Sequence, residues 1–461
     1  MKLIGELRAL LGESGVLTDP ADTSAYTKDW KHTVEGSAAC VVRPRTAEEV
    51  AGVVRLASAA HVSVIPQGGN TGLAAGAIPD PSGTQIVLTL SRMNAIRKLD
   101  PVGMTVEVEA GCIVQAVQDA ARAAGRILPV AFAAEGSAQI GGIVSTNAGG
   151  SNVLRYGMTR QLVLGLEVVR ADGTILNGLR HLRKDNAGYD WKQLYIGSEG
   201  TLGIVTAVVL RLMPQPKFVV TSLLSVADPR AALDLLKQMQ DGIGDVITAF
   251  ELISPYSISI VEKHFGLKCP VAGGGWMVLL EASASVPGLR EGVDEALAKV
   301  LESGIATDGT VAESETQAAQ IWALRERITE AELKEGKSVK HDVSVPIPSV
   351  PEFLREAEEK LRASIPGAKI NAFGHLGDGN IHFNVVVPPV TDAKVVNRLV
   401  HDIVALHEGS ISAEHGIGSY RVDELERYRS ESELVLMKQI KNALDPRGLL
   451  NPGKVIAGSK I

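Results

Sequence analysis

At 461 residues the chain exceeds what one ordinary hydrophobic core organises, so two or three domains are expected. A formal net charge of −7 disfavours nucleic acid or an anionic membrane as partner, and no apolar run approaches the roughly 20 residues of a spanning helix. Three widely spaced cysteines, Cys40, Cys112 and Cys269, argue against a disulfide framework; with no apolar leader at the N-terminus, a soluble cytoplasmic protein is expected.

In chain order, residues 39–44 read as a strand. Thr46-Ala-Glu-Glu49 is a capping box opening a helix whose Val50, Val53, Val54 and Ala57 keep helical spacing. Residues 62–65 form the next strand, followed at once by Pro66-Gln-Gly-Gly-Asn-Thr-Gly-Leu-Ala-Ala-Gly76. Glycine density at a strand end lets backbone amides approach a phosphate without interference from Cβ. The loop does not fit Gly-x-Gly-x-x-Gly, and Gly-x-x-x-x-Gly-Lys-[Ser/Thr] is absent from the chain. Strands at 86–90 and 104–109 and a helix near 114–124 lead to a second glycine-rich region, residues 135–150, and then to Tyr156-Gly157. A third, residues 196–203, precedes a strand at 204–212. Three such loops in one half of the chain suit a dinucleotide.

Pro214-Gln-Pro216 marks a boundary, since two prolines end the strand and the glycine loops stop there. Beyond it come strand 218–226, helix 229–240, strand 276–284, helix 290–301 and helix 318–332. On the last helix Arg325 and Thr329 stand at i and i+4 and so share a face. Residues 340–346 alternate like a strand. Asn371-Ala-Phe-Gly-His-Leu-Gly-Asp-Gly-Asn-Ile-His-Phe-Asn384 then reads as strand, tight turn, strand, with His375 and His382 seven residues apart. Ser412-Ala-Glu-His-Gly-Ile-Gly418 sets Glu414 beside His415. His375, His382 and Glu414 make a metal-ligand set with room for substrate, and His415 is the natural general base. The other histidines receive no role. The tail, 444–454, is turn-rich and expected to dock.

Together, Asp29-Trp30, Pro66-Gln-Gly-Gly-Asn-Thr-Gly72, Thr146-Asn-Ala-Gly-Gly150, Arg183-Lys-Asp-Asn186 with Gly188-Tyr-Asp190, Gly197-Ser-Glu-Gly-Thr-Leu-Gly203, Trp322-Ala-Leu-Arg-Glu-Arg-Ile-Thr329, Gly374-His-Leu-Gly-Asp-Gly-Asn380, Ser412-Ala-Glu-His-Gly416 and Leu450-Asn-Pro-Gly453 cover nearly the whole chain. In that order they resemble the FAD-dependent D-2-hydroxy-acid dehydrogenases of the vanillyl-alcohol-oxidase, or PCMH-type, fold. The resemblance implies an α+β protein of two domains: an FAD-binding domain over 1–216, a substrate domain on an antiparallel sheet over 217–410, and a segment, 411–461, returning to the FAD domain. It implies non-covalent FAD held by Pro66, Gly68, Gly69, Asn70, Thr71, Gly72, Gly136, Ser137, Gly142, Ser145, Thr146, Asn147, Gly149, Gly150, Tyr156, Glu199, Gly203, Ile204 and Asn451. Substrate positions map onto Arg325, Thr329, Lys340 and Asn384.

The implied reaction removes the hydroxyl proton of a 2-hydroxy acid and passes the Cα hydride to flavin N5, a metal anchoring and acidifying the hydroxyl. Zinc is the first expectation, with manganese or iron open. Two cations, Arg325 and Lys340, favour a dicarboxylate such as D-2-hydroxyglutarate over D-lactate or glycolate. The expected electron acceptor is an electron-transfer flavoprotein, a quinone or another carrier, and a homodimer is one open assembly. Two other classes compete. A metal hydrolase would leave the glycine loops unexplained and the protein colourless; a flavin-binding accessory subunit would leave the metal and base positions without a purpose.

Overall fold

The computed structural model describes residues 2–457. The chain divides into two compact units. Unit 1 holds the chain up to Gly150, Gly157–Gln215 and the chain from Glu414 onward; unit 2 holds Ser151–Tyr156 and Pro216–Ala413. Among the described residues no helix is long and apolar enough to cross a membrane.

Unit 1 carries two main sheets. The first comprises β1 (Val16–Leu17), β2 (Cys40–Val42), β3 (Val64–Gln67) and β4 (Ile86–Thr89) in the order β1-β2-β4-β3. β2 and β3 run parallel to β4, and β2 and β4 are buried throughout, as strands covered on both faces require. The helix Ala47–Ala59 connects β2 to β3 and buries Val50, Val53, Val54 and Ala57. Thr46 caps it through Glu49 N, but Glu49 reaches back to Arg45 N at 2.6 Å, one residue earlier than a capping box requires. The tail docks on the edge of this sheet, with Val64 N donating to Leu449 O and Asn451 N to Val64 O, both at 2.9 Å.

The second half of unit 1 supplies β5 (Ile96–Asp100), β6 (Thr105–Glu109), β7 (Arg126–Ile127), β8 (Val163–Val169), β9 (Ile175–Gly178), β10 (Ile204–Arg211) and β11 (Met213–Pro214). β7 and β11 form a ribbon; the others make an antiparallel sheet in the order β5-β6-β10-β8-β9. β5 has no apolar alternation to announce it, because it is a half-exposed edge strand with a bulge between Ile96 and Lys98.

Unit 2 is built on one antiparallel sheet: β12 (Phe218–Val226), β13 (Ile247–Ile253), β14 (Trp276–Ala284), β15 (Ala306–Val311), β16 (Ser338–Val339), β17 (Asp342–Ser344), β18 (Lys369–His375) and β19 (Asn380–Val386). The order is β15-β12-β14-β13-β18-β19-β16, with β17 also on β19. Leu223, Ile253, Leu279 and Phe373 form one core with the helices Pro255–Phe265, Glu315–Glu326 and Ile328–Leu333. Phe383 faces the other way, where its ring meets Phe353 of the helix Val350–Ser364 at 5.4 Å. The single helix expected over 318–332 is two helices, divided at Arg327, whose ψ of −7° departs from the helical value.

Candidate active site

The hairpin register sorts alternate side chains of unit 2 onto one face. Phe373 pairs with His382 and Asn371 with Asn384, so Asn371, Phe373 and His375 share a side with Asn380, His382 and Asn384. Glu251 of β13 stands directly opposite His375, and Asp342 of β17 directly opposite His382. Ala372, Ile381 and Phe383, between them, are buried on the reverse side. Gly374 is required here: its φ is +151°, and a Cβ would sit 2.6 Å from Asn380 O. The two imidazoles lie diagonally on the shared face, ring centroids 5.6 Å apart.

Glu251 ties this face together. It is fully buried; its Oε1 accepts from His375 Nδ1 and its Oε2 from Arg325 Nε at 2.5 Å. Burial opposes its charge, yet His375 and Arg325 outweigh burial and hold the carboxyl well below the usual range. A carboxylate at Nδ1 fixes the proton there and leaves the lone pair on Nε2, the nitrogen that would meet an ion. The Arg325 guanidinium also lies over the Phe373 ring, 4.6 Å from its centroid. His382 has its own carboxylate, Asp342, with Nδ1 3.8 Å from Oδ1, and Asn380 Nδ2 holds that oxygen at 2.9 Å. Asp378, in the turn, is pushed up to about 6 by burial, against the pull of His375. Two imidazoles on one face, each beside a buried carboxylate, are a donor set suited to a divalent cation.

The other expected substrate residues divide. β16 and β17 keep one register along β19, so Lys340 stands level with Asn384. The strand is interrupted there because the His341 N–H donates to the Asn384 side chain, Oδ1, at 3.2 Å. Asn384 Nδ2 donates to Glu332 at 2.7 Å, Asn371 Nδ2 donates to the same oxygen, and Lys340 Nζ lies 3.5 Å from the other. Glu332 is fully buried. Both expected cations therefore already face a buried carboxylate, Arg325 with Glu251 and Lys340 with Glu332. Counting charges alone no longer selects a dicarboxylate. Thr329 lies beyond the helix break and is exposed. Glu251, Asp342, Glu332 and Asn371 were missed from sequence; the available signals were a lone glutamate inside an otherwise uncharged apolar run, and the even spacing that puts Asn371 four residues before His375 and Asn384 two after His382.

In unit 1 the three glycine loops and the tail are knitted together. A Cβ on Gly69 would lie 2.1 Å from Ser137 O, and one on Gly200 3.1 Å from the Pro66 ring. Glu199 N donates to Ser145 O at 2.7 Å, and Asn451 Nδ2 donates to Glu199 O and Gly76 O. The Glu199 carboxylate accepts from Ile417 N and Gly418 N, both at 2.8 Å, while Glu414 Oε1 accepts from Gly150 N at 2.6 Å. Burial raises the Glu199 pKa, and those two amides offset part of the rise. These contacts clamp the 414–418 segment, hence His415, on both sides. In unit 2, Ala413 N donates to Asp342 O at 3.0 Å.

The FAD binding domain family matches residues 38–178, and the family described as FAD linked oxidases, C-terminal domain, matches residues 215–455. The chain belongs to the FAD-linked oxidases. It is 41% identical over 445 residues to the mitochondrial D-2-hydroxyglutarate dehydrogenase of Bos taurus, covering 96% of this chain and 81% of that one. It is 37% identical to D-2-hydroxyglutarate dehydrogenase of Stutzerimonas stutzeri, covering 99% of each. Among solved structures, 4-ethylphenol oxidase from Gulosibacter chungangensis superposes with a TM-score of 0.78 at 18% identity, over 100% of this chain and 97% of that one, a likeness of fold. The expected two-domain FAD-oxidase fold with antiparallel sheets stands.

For this FAD-linked oxidase the loops can be tested against FAD. Gly69 and Gly150 are demanded by packing: their Cβ atoms would each lie 2.1 Å from a carbonyl oxygen, of Ser137 and Ala131. Gly203 is likewise wedged between Tyr195 and Val168. Gly72 and Gly142 differ, having neither a positive φ nor any atom within 4 Å of a Cβ. Nothing among the described residues explains why they are glycine, whereas a closely approaching ligand would. Gln139 Oε1 and Asn451 Oδ1 are buried acceptors with no hydrogen-bond partner among the described residues, and FAD carries hydroxyl and amino donors. The unit fits FAD. Thr146 Oγ1 is engaged with Gly142 O, Asn147 Oδ1 accepts from Arg160 N, and Asn70 Nδ2 donates to Lys28 O; these side chains shape the loops. Ile204 opens β10, and Tyr156 lies in unit 2 on the short helix Val153–Tyr156.

Proposed function

We propose that this FAD-linked oxidase oxidises a D-2-hydroxy acid, D-2-hydroxyglutarate foremost, to the 2-oxo acid, with a divalent metal, zinc first, held by His375, His382 and Glu414. The observation that carries the proposal is the shared Glu251 carboxylate, which bonds a metal-competent imidazole and a carboxylate-binding guanidinium at once. A 2-hydroxy acid presents the matching pair, a hydroxyl and a carboxylate. The names of the bovine and bacterial relatives support the substrate.

When bound, the ion would acidify the hydroxyl and FAD would accept the hydride. Arg325 orients a substrate carboxylate through the guanidinium nitrogens that Glu251 does not use. Glu414 supplies the third ligand, and His415 takes the hydroxyl proton. Electrons then leave to an electron-transfer flavoprotein, a quinone or another carrier.

Anaerobic titration with a panel of D- and L-2-hydroxy acids tests this. D-2-Hydroxyglutarate is expected to bleach the visible flavin band and a chelator to prevent it; a flavin that no 2-hydroxy acid reduces would overturn the proposal. Specificity is tested at Lys340, whose side chain retains 29% exposure beside Glu332. Losing one charge-assisted contact costs about 1.5–3 kcal/mol, so Lys340→Ala should raise KM for D-2-hydroxyglutarate about 10- to 100-fold and leave D-lactate within about threefold. Equal losses on both would exclude a role at the second carboxylate.

A further inference from the structure

We infer that Glu251 couples metal binding to substrate-carboxylate binding, one buried side chain holding His375 in its metal-binding tautomer and Arg325 in its carboxylate-binding pose. The inference rests on reading this face as the 2-hydroxy-acid site, and goes beyond that reading in assigning Glu251.

β13 is buried along all seven residues, and Glu251 is its only charged one. Taking a carboxylate out of water costs several kcal/mol, so a leucine would serve the core better. What Glu251 gains there is two donors from separate elements, one on each oxygen: His375 Nδ1 from the end of β18, and Arg325 Nε from the end of the helix Glu315–Glu326. The cross-strand register places it opposite His375, and the Phe373 ring supports the guanidinium from beside the same strand pair. With an ion bound at Nε2, the His375 Nδ1–H would become the stronger donor and its bond to Glu251 would order the carboxylate further. The ordered carboxylate then holds Arg325 where a substrate can meet it. By linkage the substrate must tighten the metal by the same factor.

Glutamine cannot reproduce this, because an amide has one acceptor oxygen and one donor nitrogen. With Oε1 toward Arg325, the NH2 group faces His375 Nδ1, forcing the proton to Nε2 and blocking the ligand position. With Oε1 toward His375, two donors oppose each other at Arg325. Glu251 is thus a positioning residue for both ligands.

The test uses FAD-loaded, full-length protein stripped of divalent ions. Manganese or zinc affinity is measured by competition with a chromophoric chelator, with and without saturating 2-oxoglutarate, which binds without turnover. Wild type should bind the ion about tenfold more tightly with the dicarboxylate present. Glu251→Gln should bind it about 10- to 100-fold more weakly and show no enhancement, with flavin content and thermal midpoint preserved. Arg325→Gln, the second variant, leaves His375 its carboxylate and should keep the metal affinity while losing the enhancement. Wild-type metal affinity and enhancement in Glu251→Gln, or undiminished enhancement in Arg325→Gln, would overturn the inference. A wild-type protein that binds no divalent ion would instead overturn the metal-site reading, and the inference with it.

Discussion

Replacing His375 or His382 by alanine is expected to lower turnover of D-2-hydroxyglutarate by about 10³-fold or more, equivalent to about 4 kcal/mol of barrier, while the flavin stays bound. On the proposed mechanism, a divalent ion held by these imidazoles would acidify the substrate hydroxyl and supply several kcal/mol that a base working alone does not, because a free alcohol is too weak an acid to surrender its proton at neutral pH. Both imidazoles belong to unit 2, whereas the loops suited to FAD belong to unit 1, so the flavin spectrum is an internal control for folding. Removing His375 also takes away the donor on Glu251 Oε1 and leaves Arg325 Nε on Oε2, a loss felt locally on a face whose apolar support, Phe373 and Ile253, remains. Dialysis of the unaltered enzyme against a chelator should give a comparable loss, reversed by a divalent ion; the histidine variants should not recover. Turnover within about threefold of wild type in either variant would remove these imidazoles from the reaction.

How much of this site was readable in advance follows from how local each feature is. The hairpin declares itself through Gly374, Gly379 and alternating residues within fourteen positions, so both strands and both imidazoles were visible. The partner of His375 lies 124 residues earlier in the chain, and the pairing of β13 with β18 is a tertiary register that no local pattern encodes. The division of the helix at Arg327 was hidden for a related reason: the apolar positions Leu324, Ile328 and Ala331 keep helical spacing across it. The placement of Ser151–Tyr156 in unit 2 follows from contacts of those residues with strands far along the sequence, such as Arg155 Nη1 with Ser283 O.

Pairing of each cation with a buried carboxylate changes what the two cations can do. In isolation Arg325 and Lys340 would attract any anion; beside Glu251 and Glu332 the pairs are near neutral, and recognition depends on the direction of the remaining N–H groups rather than on net charge. Such an arrangement rewards an oxygen at the right position more than it rewards charge. That is why the Lys340 comparison between a dicarboxylate and a monocarboxylate is informative.

Gly69→Ala and Gly72→Ala, three residues apart on one loop, are expected to fail in opposite ways. The Gly69 Cβ would press at 2.1 Å on the carbonyl oxygen of Ser137, backbone against backbone, with Ala138 Cα at 3.1 Å behind it. Neither loop can yield without displacing the other, so a destabilisation of about 3 kcal/mol or more is expected, read as insoluble protein or a much lower thermal midpoint even without cofactor. At Gly72 a methyl group meets nothing within 4 Å and the φ is not in the left-handed region. There alanine restricts the unfolded chain, and the cofactor-free protein should gain about 0.4–1 kcal/mol. If Gly72 lines the FAD cradle, the same methyl would obstruct the cofactor, and the FAD dissociation constant should rise about tenfold or more, roughly 1.4 kcal/mol. Fluorescence titration of apoprotein with FAD, beside thermal melts of apoprotein, separates the two effects. A Gly72→Ala protein that binds FAD as tightly as wild type would take Gly72 out of the cofactor cradle, whereas a stable Gly69→Ala protein would show that the two loops are not locked together at this point.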